Sequence, residues 1–340
     1  MRGGSAPGKE KKIKAYVLRG YGSPDRLEFT DVDTPVPAAG EVLVRVRATS
    51  VNPYDWHGLR GEPRVARLMV GGLGLRAPKS PVLGCDMAGQ VEAVGPGVTG
   101  FSPGDDVFGL LEAGGWAEYA CVPEHLLAPM PKTLSYPQAA VVPMAATTAL
   151  LALRDAGRLQ AGQRVLVNGA SGGVGLFAVQ LARALGARVD AVCSAANADQ
   201  ARSAGASEVI DYASEDFTRR GQRYDLLLDV AGGNGGFACR RALTRPGTLV
   251  LIGGPAGRWV QPAGHVLAAA ALGPLARRRT VLADIVSSPA KRELLTTLAT
   301  MIDNGQVTPV ISRTYAFSEL REAVAYQEQG HVPAKVAVTV

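Results

Sequence analysis

The stretch from Arg164 to Gly175, RVLVNGASGGVG, limits what this chain can fold into more than any other. Strand-like residues Val165 to Asn168 run into a turn with glycines at 169, 172, 173 and 175. An amphipathic segment, LFAVQLARALGA, follows and closes near Gly186. Strand, glycine turn and helix in that order present free backbone N–H groups and the positive end of a helix to a pyrophosphate. Gly172 and Gly175 have the spacing of the second and third glycines of G-x-G-x-x-G, while Ala170 stands where the first glycine would, so the motif is a variant. Ala170, Ser171, Gly172, Gly173 and Val174 are therefore the candidate phosphate-facing residues of a dinucleotide site.

The pattern around the turn divides the chain. Upstream, Lys14–Leu18, Glu41–Ala48, Val91–Val94, Asp106–Leu110 and Tyr119–Val122 read as short strands separated by Gly/Pro turns, with EVLVRVRA at 41–48 alternating at period 2. This predicts an antiparallel, barrel-like domain over 13–138. Downstream of Tyr136, a helical run over Pro137–Leu153 precedes the turn. Strands at Arg188–Cys193, Glu208–Asp211, Asp225–Val230, Thr248–Gly253 and Thr280–Val286 then alternate with helical Asp199–Ala204, Ser214–Arg220 and Phe237–Leu243. Repeated β-α-β implies an α/β fold with a doubly wound parallel sheet, assigned to 139–286. A helix over Ala290–Asn304 and a final strand, KVAVTV at 335–340, close the chain. Residues 1–12, rich in glycine and lysine, read as a disordered tail.

Composition excludes several classes. The chain of 340 residues is 47% apolar and 19% charged, as expected of a globular protein with two domains. No apolar run reaches the ~18 residues that span a bilayer, and the amino terminus lacks the apolar core of a signal peptide. The four cysteines are scattered, without a C-x-x-C pair, and read as reduced thiols, three of them buried, in a cytoplasmic protein. A net charge of +6 is modest, and its cluster Arg277–Arg279 reads as a helix end and not a nucleic-acid patch, so no nucleic-acid partner is expected.

A series of motifs runs from one end to the other: GEVLVRV at 40–46, SVNPYDW at 50–56, PVLGCDMAGQVEAVG at 81–95, GWAEYACVP at 115–123, NGASGGVG at 168–175, GASEVIDY at 205–212 and HVPAKVAV at 331–338. In these the chain resembles the medium-chain dehydrogenase/reductases of the zinc-independent, quinone oxidoreductase-like branch. The resemblance implies a GroES-like barrel domain made by both chain ends, 13–138 and 287–340, with a Rossmann domain inserted at 139–286. Similar zinc alcohol dehydrogenases carry a cysteine where Asn52 stands, Gly-His-Glu where Gly84-Cys85-Asp86 stands, and a further ligand near Pro143-Met144. Tetrahedral zinc needs about three converging protein ligands; Cys85 and His57 supply two at most, so no metal is expected. Without such an electrophile the chemistry favours hydride addition to an activated C=C or a quinone over alcohol oxidation, with donors stabilising the enolate.

The ribose end of the cofactor is read after the second Rossmann strand, where NAD-binding chains place Asp or Glu. Here Ser194-Ala195-Ala196-Asn197 follows instead. Ser194 and Asn197 can donate hydrogen bonds, Arg202 follows within two helical turns, and the resemblance adds Tyr212, so NADPH is the expected cofactor. The bland alternatives are that Asn197 caps a helix and Arg202 is a solvated charge. Near the chemistry, the loop after a barrel strand carries Asn52, an amide donor, and Tyr54, which either orients the carbonyl and relays a proton or packs beside Trp56. Asp55 reads as a cap or turn residue, and Asp86 as bonded to loop backbone. Thr148 matches a cofactor-contacting threonine in similar reductases, or else bonds back to the preceding helical turn. Val230 and Gly253 end parallel strands where ligands lie, and Lys335 matches a tail lysine that reaches the cofactor cleft in relatives. Trp116 and Trp259 are candidate walls of a substrate pocket, Trp116 serving equally well as barrel core; His125, His265 and His331 show no partner spacing.

These readings converge on an NADPH-dependent reductase of enones or quinones. The competing expectations are a biosynthetic enoyl reductase and a non-catalytic, crystallin-like protein that binds NADPH or RNA. The apolar edge 280–286 is a liability if left open and predicts a homodimer joined across it.

Overall fold

The computed structural model describes residues 12–64, 67, 73–253, 278–330 and 332–340. The expected pocket wall Trp259 and His265, Arg277 and His331 lie outside them, as does the expected tail except Lys12, which opens the first strand.

The first half builds on β-strands. β1 (Lys12–Leu18) and β2 (Leu27–Asp33) form a hairpin. β3 (Glu41–Val51) is the spine of the larger sheet, pairing antiparallel with β4 (Asp86–Val94), β6 (Tyr119–Pro123) and the chain's last strand, while β5 (Asp106–Leu110) bridges β4 to β7 (Leu127–Pro129). β3 carries valines inward at 42, 44 and 46 with Arg45 outward, the alternation its sequence announces.

The second half is a six-stranded sheet. β8 (Arg164–Asn168), β9 (Arg188–Cys193), β10 (Glu208–Asp211), β11 (Tyr224–Asp229), β12 (Leu243–Leu251) and β13 (Arg279–Leu282) stand in the order β10-β9-β8-β11-β12-β13, all parallel. The order reverses beside β8, the switch point at which doubly wound sheets bind ligands. The tail then rejoins the first sheet: β14 (Ile311–Ala316) and β15 (Lys335–Thr339) add to β3.

Helices join the halves. The expected run over 137–153 is two helices, α2 (Tyr136–Ala140) and α3 (Pro143–Leu150), because Pro143 has no N–H to extend the first and suits the first turn of the second. α3 continues into a π-helical turn over 151–156, closed by Gly157 N–H donating to the Ala152 carbonyl. α3 packs against α4 (Gly173–Ala184) and against the later α7 (Lys291–Asp303), which also lies on β7. One core therefore runs from Ala48, Cys85 and Phe108 of the barrel through Ala146 and Leu150 of α3 to Val165 and Val167 of the parallel sheet.

Other expectations shift locally. Over 214–220 only a single 3-10 turn forms, at Phe217–Arg219, because the Asp216 carboxylate takes the Thr218 N–H at 2.9 Å and its hydroxyl at 2.7 Å, a local bond that competes with helix. α5 (Ala198–Ser203) and α6 (Gly236–Arg241) keep the expected places. Arg279 opens β13, so the arginine cluster is not a helix end at that residue. β2, β14, α1 (Pro53–Arg60) and α8 (Leu320–Glu328) are not anticipated from the sequence.

Candidate active site

The glycine turn leaves β8 with Gly169 at φ +87, in the left-handed region that glycine enters without steric cost. Gly169 and Ala170 both donate to the Val192 carbonyl of β9, at 3.1 and 2.9 Å, which pins the turn to the second strand. A Cβ on Gly175 would stand 2.1 Å from the Gly169 carbonyl oxygen, so α4 can pack on the turn only with glycine there. A Cβ on Gly172 would meet nothing nearer than that same oxygen at 3.6 Å, so the front of the turn is open. The first N–H groups of α4 have no acceptor within the helix. Open N–H groups at a helix start, here at Gly172, Gly173 and Val174, are donors of the kind a pyrophosphate takes, and Ala170, fully buried, backs the turn.

The carboxyl edge of the sheet is braced beneath this cradle. Asp229, at the end of β11, accepts from Asn168 Nδ2 at 2.8 Å and from the Gly232 N–H at 3.0 Å. Val230 donates to the Asn168 carbonyl, and a Cβ on Gly253 would stand 2.2 Å from the Val230 oxygen. Val230 and Gly253 thus lie together along this edge, beside the turn. At the ribose end, Asn197 Nδ2 donates to Ser194 Oγ at 3.1 Å, and Tyr212 is exposed. Asn197 makes no side-chain cap, and Arg202 pairs with Asp199 at the surface, 2.8 Å away.

The barrel side is a buried polar cluster. Asn52 is the N-cap of α1, with Pro53 at the first helical position and Asp55 Oδ2 accepting from the Asn52 N–H at 2.8 Å. This half of a capping box was legible in Asn-Pro-x-Asp, and it makes 53–60 a helix where a loop is expected. The other Asp55 oxygen accepts from the Cys85 N–H at 3.1 Å, so Asp55 is a cap and a clamp. Asp86 is fully buried and accepts from Ser50 Oγ (2.6 Å), Asn52 Nδ2 (2.9 Å) and the Met144 N–H (2.7 Å) at the start of α3. It thus bonds backbone as expected, but its other partners are side chains. Lys335, 5% exposed, donates to Asn52 Oδ1 and stands 3.4 Å from Asp86 Oδ2.

This arrangement decides several roles. Every polar atom of the Asn52 side chain is engaged, its amide donors by Ser50, Asp55, Cys85 and Asp86 and its carbonyl by Lys335, and the residue is 3% exposed. As a free donor to substrate Asn52 is therefore corrected to a structural hub. Tyr54, one position into α1, is 38% exposed, and burial of its phenol, then the charges of Cys85, Asp55, Glu112 and Asp284, push its pKa up to about 12. It stays a protonated donor at neutral pH. Burial first and Asp86 second push Asp55 up to about 6. Burial holds the Cys85 thiol well above its ordinary range, so it is not a thiolate nucleophile. Burial also lowers His57 to about 4; its ring stacks on Trp56 with centroids 3.7 Å apart.

Trp116 is corrected from pocket wall to core. It is wholly buried with Tyr16, Leu18 and Leu83, and a Cβ on Gly84 would come within 2.4 Å of its ring. Thr148 takes the local option in this state, its hydroxyl donating to the Met144 carbonyl at 2.6 Å. Ser50, Asn168 and Asp229 were missed; an Asn or Asp closing an otherwise apolar parallel strand was the available signal for the last two. No three His, Cys, Asp or Glu side chains among the described residues are grouped to hold a metal ion, and no helix among them is long and apolar enough to cross a membrane.

Comparison with known proteins bears on the family and the fold. Residues 38–132 match the family described as alcohol dehydrogenase GroES-like domain, and 204–338 the one described as zinc-binding dehydrogenase. The chloroplast envelope quinone oxidoreductase homolog of Arabidopsis thaliana is 32% identical over 96% of this chain and 98% of its own. The mitochondrial NAD(P)H oxidoreductase RTN4IP1 of Mus musculus is also 32% identical, over 96% of this chain and 89% of its own. The 2-methylene-furan-3-one reductase of Solanum lycopersicum is 30% identical over 96% and 79%. Among solved structures, the quinone oxidoreductase from Coxiella burnetii superposes with a TM-score of 0.81 at 29% identity, covering 97% of this chain and 100% of that one. A GroES-like barrel, a Rossmann sheet in the order seen here and this similarity along nearly the whole chain lead to one assignment: the protein belongs to the medium-chain dehydrogenase/reductases, in their quinone oxidoreductase-like branch.

Proposed function

We propose that the chain is an NADPH-dependent reductase of activated C=C bonds or quinones that works without zinc. The observation that carries this reading is the Asn52–Asp86–Lys335 cluster. Where similar zinc dehydrogenases hold ligands, this chain sets an amide, a thiol kept neutral by burial and a carboxylate already bonded to three donors and an ammonium. Bound at the glycine turn, a nicotinamide cofactor supplies the hydride. The chain's own part is to seat the pyrophosphate at Gly172–Val174, to border the cofactor with Thr148, Val230 and Gly253, and to present the Tyr54 phenol as a donor to the oxygen on which charge develops. The relatives named as quinone oxidoreductases and as a furanone reductase support both acceptor classes. Ser194, Asn197 and Tyr212, with no acid at the end of β9, support NADPH over NADH.

Two further parts belong to this reading. β13 is an edge of the sheet with Leu282 47% exposed, which supports a homodimer joined there. Four cysteines free of disulfides, three of them buried, support a reducing compartment such as the cytoplasm. The test is oxidation of NADPH and NADH with a panel of neutral enones and quinones. Turnover with at least one acceptor, with NADPH preferred, is expected; tight RNA binding without NADPH oxidation overturns the reading.

A further inference from the structure

Lys335 occupies an unusual junction. Its stem lies against the start of the phosphate-facing helix, so that a Cβ on Gly173 would stand 2.7 Å from Lys335 Cδ. The preceding residue, Ala334, holds φ +54, a left-handed conformation unfavourable for a non-glycine residue, and it donates to the Ser171 carbonyl at 2.8 Å beside a bridge to Gly172. A strained residue persists where its surroundings over-determine it. A further tie acts along α4, where the Gln180 side chain accepts the Thr308 N–H at 2.8 Å and donates to its carbonyl at 3.1 Å. The lysine's other end lies across the domain junction, at Asn52 Oδ1 and Asp86 Oδ2.

We propose that Lys335 is a positioning residue for the reductase reaction: it holds Asn52, Asp86 and the helix bearing Tyr54 in register with the glycine turn. The inference rests on the reading of function given above. It differs from a cofactor-contacting role for this lysine, because the ammonium is spent on a buried carboxylate and amide. Asp86 fixes the start of α3 through the Met144 N–H, and Asn52 starts α1, so one side chain sets the relation of three helices, α1, α3 and α4. The charged and titratable groups facing the cluster are Asp55 on α1, Cys85 and Asp86 at β4 and Lys335 on β15, with Tyr54 at its rim. Lys335 is the cation that offsets repulsion between the two carboxylates.

The test uses the full chain with Lys335→Met and Lys335→Arg, reading NADPH dissociation by fluorescence without acceptor, kcat at saturating NADPH, and thermal stability against pH. For Lys335→Met the expected result is a kcat about 100-fold lower, as for misplacement of a reacting group, with NADPH affinity within about threefold. The pH at which Asp55 titrates, read from the stability curve, should rise by about one unit once its counter-charge is gone, and Lys335→Arg should restore much of both. An NADPH dissociation constant raised about tenfold with kcat intact would make the lysine a cofactor ligand, and an unchanged kcat and pH curve would remove its role; either overturns the proposal. If Lys335→Met does not fold, the Lys335→Met/Asp86→Asn pair, which removes both charges, is measured with Asp86→Asn as its reference. The stability curve needs no turnover, so a chain inactive with every acceptor would sink the function while the titration still decides the role of Lys335.

Discussion

Asp55 clamps Cys85. One carboxylate oxygen closes the cap of α1 and the other takes the Cys85 N–H, so the tyrosine-bearing helix and the residue leading into β4 share a single buried anion. That anion is costly, since burial and Asp86 raise its pKa from 3.8 to about 6. A carboxyl with a raised folded-state pKa binds its proton more tightly folded than unfolded, so stability should fall as pH rises from about 4 to about 6 and level off above. Thermal melts at closely spaced pH values check this. In Asp55→Asn the fall should vanish, and a wild-type slope surviving in that variant would assign it to another group.

The two halves of the glycine turn should respond differently to one methyl group. Gly175→Ala places a Cβ against fixed backbone and should destabilise by about 1–3 kcal/mol or more. Gly172→Ala meets open space, so its melting temperature should match the wild type while its NADPH dissociation constant rises, because the methyl occupies the pyrophosphate cradle. Melting curves and fluorescence titrations on both variants separate packing from binding.

Tyr54→Phe removes the phenol that the site leaves protonated and partly exposed. The kcat with an enone should drop by about 100-fold, the low end for loss of a general acid, with folding and NADPH affinity unchanged. A kcat within twofold of wild type would return Tyr54 to the role of a packing neighbour of Trp56.

Ser194→Asp puts a carboxylate beside Asn197 at the end of β9, where a ribose 2′-hydroxyl is bonded and a 2′-phosphate repelled. The ratio of kcat/KM for NADPH over NADH should fall by more than about tenfold, equivalent to roughly 1.4 kcal/mol. A ratio that does not move would show that the 2′-phosphate is read elsewhere.

Much of the architecture was legible because it rests on short-range rules. Alternation placed β3, and regular apolar runs between glycines placed the parallel strands within a few residues. Pro143 and Asp216 were local signals too, and overlooking them gave one helix too long and one that does not form. β14 was missed because exposed residues break its alternation and it gains its order from pairing with β15; α8 was legible, since Leu320, Ala323 and Val324 are buried at the i, i+3, i+4 spacing of an amphipathic helix, and it was overlooked.

By itself, the sequence determined the glycine turn and the lack of an acid after β9, since each follows from residue identity at adjacent positions; its resemblance to zinc dehydrogenases added that Asn52 and Cys85 stand where those carry ligands. Only the tertiary structure decided that Trp116 is core, that the Asn52 amide is fully engaged and that the Lys335 ammonium ends at Asp86. Those outcomes join residues up to 283 positions apart. They depend on burial, which makes an unpaired polar group costly and so selects which distant partners must meet.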